Sequence, residues 1–331
     1  MDRCVLLAPA KINLYLEIIG NRPDGFHELV MVMQSVDLCD RLTLVRADTD
    51  RISLRCAHPL VPEDETNLAY RAAELMSQQF GDAFARYGGV KIQIEKQIPV
   101  GAGLAGGSGN AAAVLVGLNL LWKLGLTRSE LETLGAKLGS DVPFCISGGT
   151  ALATGRGEQI TPLGDLRNLY AVLAKYHSLS VSTPWAYKAY RQQFESTYAS
   201  ADDDLALRRE RVHSGPMITA ISRQDTDQIF QLLTNDLEKV VLPAHPEVEA
   251  LRSAMAQASQ TQAARTQRFQ TQTPQNQGVM MSGSGPTVFA LARSQADADA
   301  IAQSLRAALP SEDLGLWVAP FNTSGIRLVE A

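Results

Sequence analysis

The sequence lacks the markers of several protein classes. Its four cysteines form no CxxC pair, and its five histidines show no metal-ligand spacing. Lysines and arginines form no block, and the excess of acidic residues gives a formal charge of −5. Nucleic acids and anionic membranes are bound by clustered positive charge, so the sequence predicts neither partner. We interpret the cysteines as reduced thiols of a cytoplasmic protein.

Signals for membranes and export are also missing. No apolar run reaches the roughly 18 residues that would suggest a membrane-spanning helix. The N-terminal segment lacks a basic start followed by a long apolar stretch, and it contains Lys11 and Asn13. A cytoplasmic location is therefore expected, whereas the oligomeric state is left open.

A length of 331 residues with 45% hydrophobic content favours two packed lobes, which we place at 1–160 and 161–331. Strands interspersed with helices, but without a strict βαβ repeat, predict an α+β fold. The predicted strands are 3–20, 28–46, 51–56, 90–95, 144–154, 169–174 and 315–319, with a hairpin at 279–291. The predicted helices are 67–80, 110–124, 127–139, 184–195, 216–233, 246–257 and 296–309.

Two segments show no clear apolar periodicity. Residues 258–277 consist almost wholly of Gln, Thr, Ala, Arg and Ser, and we expect them to form a disordered insert because they offer little apolar surface to bury. The charged stretch 202–211 is expected to be an exposed helix or loop.

A glycine-rich segment lies between a predicted strand and a predicted alanine-rich helix. Its residues are Pro99, Val100, Gly101, Ala102, Gly103, Leu104, Ala105, Gly106, Gly107, Ser108, Gly109 and Asn110. Glycines let backbone N–H groups approach phosphate oxygens, and a helix N-terminus adds partial positive charge. We therefore interpret the segment as a phosphate-binding loop, with an ordinary strand-to-helix turn as the alternative.

Two familiar phosphate loops do not fit this segment. A Walker A loop ends in Gly-Lys-Ser/Thr, and no lysine lies between Lys96 and Lys123. Gly101, Gly103 and Gly106 match G-x-G-x-x-G, but a Rossmann unit returns to a parallel strand that ends in an acidic residue. Here the first helix is followed by a second, which starts with the capping signal Thr127-x-x-Glu130.

Two charged residues are candidates for catalysis. Asp141 follows the second helix and is placed to accept a proton from a substrate hydroxyl that attacks a γ-phosphate, although a capping or turn role fits equally well. Lys11 and Asn13 interrupt an apolar strand and share one face of it. The alternative for Lys11 is a lysine that is exposed to solvent. If Lys11 instead lies beside Asp141, its charge would favour the ionised carboxylate and neutralise phosphate charge.

Two further segments suit ligand binding. Phe26 and His27 follow the turn Pro23-Asp24-Gly25, where an aromatic ring and an imidazole suit a planar ligand, although a surface histidine is the alternative. Residues 283–286, Gly-Ser-Gly-Pro, form either a second backbone cradle or only a hairpin turn.

Together these segments resemble, in order, the motifs of the GHMP kinases. The matching blocks are APAKINL at 8–14, RPDGFH at 22–27, PVGAGLAGGSGNAA at 99–112, LGSDVPF at 138–144 and MSGSG at 281–285. The resemblance covers nearly the whole chain except the insert. It implies a two-lobed architecture, with an N-terminal lobe similar to ribosomal protein S5 domain 2, a C-terminal ferredoxin-like lobe and an active site between them.

The resemblance also implies an activity. The chain looks like a kinase that uses ATP and Mg²⁺ to phosphorylate the 2-hydroxyl of a cytidyl diphosphate sugar alcohol in isoprenoid biosynthesis. Asp141 is then implied as the general base, Lys11 as its charge partner, and 99–109 as the ATP-binding segment. Asn13 and His27 are implied to contact the substrate, and Phe26 and Tyr187 to stack on its cytosine; the direct Mg²⁺ ligands are not assigned.

The sequence departs from the family pattern at three positions. Phe26 stands where many members have tyrosine, so a hydroxyl contact is lost. Ala105 replaces a common glycine, and we expect a negative φ there. Gly109 replaces a serine, so any hydroxyl contact to phosphate or metal falls to Ser108. The alternatives are a sister kinase of the homoserine or mevalonate type and a catalytically silent ligand sensor.

Overall fold

A computed structural model describes residues 1–199, 215–265 and 278–330. Within these ranges, twelve strands form one branched sheet. They are β1 (Arg3–Asn21), β2 (His27–Arg46), β3 (Ile52–Cys56), β4 (Val90–Glu95), β5 (Thr150–Thr154), β6 (Gln159–Pro162), β7 (Tyr170–Tyr176), β8 (Thr234–Asn235), β9 (Val279–Met281), β10 (Val288–Ala292), β11 (Leu314–Asn322) and β12 (Arg327–Glu330). The predicted α+β composition is confirmed.

The same ranges contain eleven α-helices. They are α1 (Leu68–Gln79), α2 (Gly81–Tyr87), α3 (Gly106–Leu121), α4 (Arg128–Ala136), α5 (Val142–Ser147), α6 (Thr183–Phe194), α7 (Pro216–Ser222), α8 (Thr226–Gln231), α9 (Glu238–Ala244), α10 (Pro246–Arg265) and α11 (Gln295–Ala308). None of these described helices has both the length and the apolar character that crossing a bilayer requires.

The long hairpin of β1 and β2 connects the two halves of the sheet. The two strands pair from Arg3 opposite Val45 to Asn21 opposite His27, with register shifts along the way. Towards its C-terminal end β2 also pairs with β4, and nearer its start it pairs with β5. A short contact with β11 joins it to the β11-β7-β10-β9 part of the sheet. The hairpin therefore contributes to both halves of the sheet.

Helix α3 packs closely on this hairpin. Its residues Ala111, Ala112 and Ala113 are fully buried, and it also contacts α1, α4 and α5. A Cβ on Gly117 would lie 2.7 Å from Leu44 Cδ2, so the small side chains of α3 are what allow the close approach. This packing fixes the N-terminus of α3 beside the glycine-rich segment.

The structure corrects two predicted elements that flank the site. Residues 142–147 form helix α5, not the start of a strand, because Pro143 lies in the first turn, where its missing N–H costs nothing. Gly148, with a φ of 65°, ends this helix, and β5 begins only at Thr150. Helix α3 begins at Gly106 rather than near residue 110, so the glycine-rich segment includes the first turn of a helix.

Two corrections concern the C-terminal half. The predicted helix 216–233 is two helices, α7 and α8, separated by a turn in which Gln224 has a φ of 55°. Helix α10 runs to Arg265, so residues 258–265 of the expected disordered insert are helical, consistent with the good helix propensity of alanine and glutamine. The remainder of that insert, 266–277, and the charged stretch 202–211 lie outside the described residues.

Candidate active site

A cavity of about 790 Å³ lies where the hairpin, the glycine-rich segment, helix α6 and the turn after β9 meet. Most of the predicted site residues line it. They are Lys11, Asn13, Phe26, His27, Pro99, Val100, Gly101, Ala102, Gly103, Ala105, Gly106, Gly107, Ser108, Asp141 and Tyr187. Two do not: the Leu104 side chain is buried in the core, and Gly109 faces Ala8 and Pro9 of β1.

Lys11 and Asp141 meet on one wall of the cavity. Lys11 Nζ lies 3.7 Å from Asp141 Oδ2 and donates a hydrogen bond of 2.7 Å to Asn13 Oδ1. Lys11 is 5% exposed, which excludes a solvated lysine. Asp141 precedes α5, yet its side chain makes no capping hydrogen bond within the described residues. The carboxylate is therefore left to face Lys11 and the cavity.

The glycine-rich segment interlocks with the turn at 283–286. A Cβ on Gly103 would lie 2.3 Å from the Ser282 carbonyl oxygen, and Ser282 Oγ donates a hydrogen bond of 3.1 Å to the Gly103 carbonyl. Gly283 also lacks room for a side chain, since a Cβ there would lie 3.2 Å from Lys11 Nζ. The 283–286 segment is the turn of the β9–β10 hairpin, and Gly283 and Ser284 also line the cavity.

The side chain of Asn235 anchors this turn through hydrogen bonds. Its side-chain amide donates hydrogen bonds of 2.8 Å to the carbonyls of Met281 and Gly283. On the other side, the hydroxyls of Ser284 and Thr183 are 2.7 Å apart, which ties the turn to the first residue of α6. The C-terminal half of the chain thus holds one side of the cavity through hydrogen bonds that sequence patterns do not reveal.

Ala105 has a left-handed backbone, contrary to the expected negative φ. Its φ is 56° and its ψ 27°, and it immediately precedes α3. For an L-residue this region costs about 1–2 kcal/mol, which is why glycine is favoured there. The interlocked segment imposes the conformation, because Lys11 donates its backbone N–H to the Leu104 carbonyl at 3.1 Å and Gly103 abuts Ser282.

Asp40 was missed at the sequence level and organises the base of the glycine-rich segment. Its carboxylate forms an ion pair with Lys96 and accepts hydrogen bonds of 2.9 Å from the backbone of Gln97 and Ile98. It also accepts a hydrogen bond of 2.8 Å from the side chain of Asn110 in α3. Asp40 is completely buried, and the signal available in the sequence was its place in the alternation of β2, where it shares the inward-facing phase with Leu42 and Leu44.

A second set of residues that sequence reasoning missed surrounds the outer end of the glycine-rich segment. They are Leu60, Val61, Pro62, Thr66 and Asn67 between β3 and α1, Leu68 at the start of α1, and Lys96 directly after β4. Leu60 is 66% exposed and stands beside Val61 and Pro62, so this part of the lining is apolar. An apolar wall next to a glycine cradle suits a nucleobase attached to phosphates.

The opposite end of the cavity is aromatic. The rings of His27 and Tyr187 lie 5.1 Å apart, and Tyr198 meets His27 edge-on at 6.1 Å. Burial, with a smaller contribution from the charge of Arg191, lowers the pKa of His27 to about 4. The imidazole is therefore neutral at pH 7, and its Nε2 is buried without a hydrogen-bond partner among the described residues.

Comparison with known proteins agrees with this geometry. Two family models match the chain. The GHMP kinases N terminal domain matches residues 67–149, and the GHMP kinases C terminal domain matches residues 275–311. A 4-diphosphocytidyl-2-C-methyl-D-erythritol kinase from Nostoc punctiforme is 58% identical over 326 residues, covering 98% of each chain. One from Acaryochloris marina is 57% identical, covering 99% of this chain and all of its own. The chain belongs to the 4-diphosphocytidyl-2-C-methyl-D-erythritol kinases, within the GHMP kinase family.

Solved structures support the same assignment. A crystal structure of 4-(cytidine 5'-diphospho)-2C-methyl-D-erythritol kinase matches with a TM-score of 0.68 and 31% identity, covering 96% of this chain and 99% of its own. A homoserine kinase from Cytophaga hutchinsonii matches with a TM-score of 0.72, but at 20% identity it shows only the shared fold. The predicted two-lobed GHMP kinase architecture is confirmed.

We expect Ala105→Gly to raise the free energy of unfolding by about 1 kcal/mol. The left-handed penalty of about 1–2 kcal/mol is removed, and the greater entropy of glycine in the unfolded chain offsets part of it. Urea unfolding measures the change. Ala112→Gly, inside α3, is the matched control and should lower the free energy by about 1 kcal/mol or more. Equal destabilisation by both variants would contradict the assigned backbone conformation.

We expect Asp40→Asn to lower the free energy of unfolding by about 3–5 kcal/mol, because it leaves the buried Lys96 ammonium without its carboxylate. The control is Asp37→Asn on the same strand, whose ion pair with Arg327 is partly exposed and should contribute less than about 1 kcal/mol. Lys96→Met should restore part of the loss in the Asp40→Asn background. Similar urea midpoints for the two aspartate variants would refute the role of Asp40.

The low pKa of His27 predicts a pH dependence of stability. Between pH 4 and about 6.5 the unfolded chain binds a proton at this histidine that the folded chain does not. The free energy of unfolding should therefore fall as the pH is lowered through this window. In His27→Gln the fall should be smaller, as measured by urea unfolding at several pH values. Parallel profiles for the two proteins would show that His27 titrates alike in both states.

Proposed function

We propose that this chain transfers the γ-phosphate of ATP to the 2-hydroxyl of 4-diphosphocytidyl-2-C-methyl-D-erythritol, a step of non-mevalonate isoprenoid biosynthesis, in the cytoplasm. The observation that carries the proposal is the pair of Lys11 and Asp141, whose side chains line the same cavity as the glycine-rich segment. A carboxylate, a cation and a backbone phosphate cradle are together the parts that an alcohol kinase needs.

The glycine-rich segment receives the ATP phosphates. Gly101, Gly103, Gly106 and Gly107 line the cavity without side chains, and the N-terminus of α3 adds partial positive charge at Gly106. Because the segment contains no lysine of its own, Lys96 and Lys11, two of the cationic residues that line the cavity, are proposed to supply positive charge to the phosphates. The apolar residues at 60–62 then face the adenine.

Asp141 acts as the general base. Its carboxylate accepts the proton of the 2-hydroxyl as that oxygen attacks the γ-phosphorus and ADP leaves. Lys11 lies 3.7 Å from this carboxylate, where its charge stabilises both the ionised base and the negative charge on the transferring phosphoryl group. Asn13 holds the ammonium group in place through the 2.7 Å hydrogen bond.

Mg²⁺ is proposed to enter with ATP and to neutralise phosphate charge. Magnesium in kinases is held mainly by phosphate oxygens and water, with one or two protein oxygens. The described residues contain no cluster of three or more His, Cys, Asp or Glu side chains suited to a metal, which agrees with such a nucleotide-borne ion. Ser108 and Asp141, two of the oxygen-bearing side chains that line the cavity, would suit it.

The aromatic end binds the cytosine. Phe26 and Tyr187 line the cavity and offer ring faces for stacking, and stacking is the geometry that planar bases favour. His27 lines the cavity beside these rings, and its neutral imidazole suits contact with an uncharged base. This end favours the cytidyl substrate over homoserine or mevalonate, which have no planar ring.

The assay is ADP formation with ATP, Mg²⁺ and the cytidyl substrate, run beside homoserine and mevalonate. We expect turnover only of the cytidyl substrate. Asp141→Asn and Lys11→Met should each lower kcat by about 100-fold or more, since a general base contributes on the order of 10²–10⁴. The exposed residues Asp82 and Lys137 provide the controls Asp82→Asn and Lys137→Met, which should behave like the wild type.

The outcomes separate the alternatives. Turnover of homoserine or mevalonate alone would indicate a sister kinase, and the absence of turnover with every alcohol would indicate a ligand sensor. Near-normal kcat in either site variant would show that the assigned role is wrong, provided that circular dichroism shows the variant to be folded.

A further inference from the structure

Arg156 packs on the ring of Phe26 at the aromatic end of the cavity. Its guanidinium carbon lies 5.1 Å from the ring centroid, and both residues line the cavity. Among the cation and ring pairs of the described residues, this is the one whose ring lines the cavity. A cation over an aromatic face is attracted by the electron-rich ring, by about 0.5–1 kcal/mol at an exposed site.

Arg156 is held in a fixed position from several sides. Its guanidinium donates a hydrogen bond to the carbonyl of Ala136, the last residue of α4, and its backbone N–H donates one of 2.8 Å to Glu158 Oε2. The preceding Gly155 accepts a 2.7 Å hydrogen bond from the backbone of Leu29 in β2. The turn between β5 and β6 is therefore anchored to the strand that begins directly after Phe26.

Phe26, by contrast, has little support of its own. It is 49% exposed at the tip of the β1–β2 hairpin, and a phenylalanine has no hydroxyl with which to anchor its ring. The loop is fixed nearby, since the Phe26 backbone donates to Asp24 Oδ1 at 3.1 Å and Arg191 donates to the Gly25 carbonyl at 3.1 Å. These contacts fix the backbone and leave the direction of the ring to its neighbour Arg156.

We propose that Arg156 is a positioning residue that holds the Phe26 ring ready to stack on the base of the substrate. The guanidinium packs on one face of the ring and leaves the other face for a planar, uncharged heterocycle. Holding the ring before binding removes part of the ordering cost that an exposed side chain would otherwise add to substrate binding. The inference rests on the proposed function, because it concerns how the same site recognises the cytosine.

A direct role is the competing explanation. Arg156 lines the cavity, and a guanidinium with free donors also suits the diphosphate of the substrate. The two roles differ in one respect: positioning requires the Phe26 ring, whereas a contact to the diphosphate does not. A double-mutant cycle on Arg156 and Phe26 therefore separates them.

The test measures kcat and KM for the cytidyl substrate, and KM for ATP, in the wild type, Arg156→Met, Phe26→Ala and the double variant. We expect Arg156→Met to raise the KM for the cytidyl substrate by about 2–5-fold, the factor that corresponds to the cation–ring attraction. Saturated kcat and the KM for ATP should stay within about 2-fold. In the Phe26→Ala background, Arg156→Met should cause no further rise.

Two further variants complete the design. Arg156→Lys retains a cation beside the ring and should recover part of the lost affinity, which a purely structural role for the guanidinium would not predict. Arg46→Met is the matched control, because Arg46 packs on the ring of Tyr87, outside the cavity lining, and should leave the KM unchanged. Thermal melting of each variant shows whether it is folded under the assay conditions.

Each result has a defined meaning. The positioning role is overturned if Arg156→Met leaves the KM unchanged. It is also overturned if Arg156→Met raises the KM equally in the wild type and in Phe26→Ala, and this second result would indicate a direct contact to the diphosphate. If the wild type neither turns over the cytidyl substrate nor binds cytidine 5'-diphosphate by calorimetry, the proposed function fails, and the positioning role falls with it. If the wild type is active and binds cytidine 5'-diphosphate, but the double-mutant cycle shows no coupling between Arg156 and Phe26, the positioning role alone fails.

Discussion

The burial of the Lys11 charge is the constraint on which the site depends. A charged lysine that is 5% exposed is stable only if nearby groups replace the water that its ammonium group has lost. Asn13 supplies a hydrogen bond from the same strand, and Asp141 supplies the opposite charge from the start of α5. The short helix α5 must therefore begin beside the middle of the hairpin, which places a carboxylate in the cavity between the lobes.

The glycines around Lys11 permit close approach of neighbouring segments, in addition to the phosphate binding that we propose for them. Gly103 and Gly283 each lie where a side chain would collide with a neighbouring backbone or with the ammonium group. Because these two positions lack side chains, the glycine-rich segment and the β9–β10 turn can lie within hydrogen-bond distance of each other. It also explains why Ala105 tolerates a left-handed backbone, since the surrounding contacts outweigh the local preference.

Sequence patterns predicted the parts of the fold that local physical chemistry decides. The long hairpin, the capping box at Thr127 and the β9–β10 hairpin follow from periodicity and turn residues, and the structure confirms all three. Helix α5 was predicted as a strand because a short apolar run fits either element, and Pro143 was the signal that favoured a helix. The bond between Lys96 and Asp40 joins residues 56 positions apart, which no local pattern reveals.

The two ends of the cavity differ in how they are built, and this difference explains why fold similarity alone does not identify the substrate. The end that we propose for the phosphates consists largely of main-chain groups and glycines, so any member of the fold that uses the same nucleotide can retain it. The homoserine kinase of similar shape, at 20% identity, illustrates how little the fold restricts the acceptor. The opposite end consists of side chains, chiefly Phe26, His27 and Tyr187, on a hairpin tip and a helix that are far apart in the sequence. We expect substitutions there to change the ligand without disturbing the pair of Lys11 and Asp141, so that recognition of the acceptor can diverge while the proposed chemistry is retained.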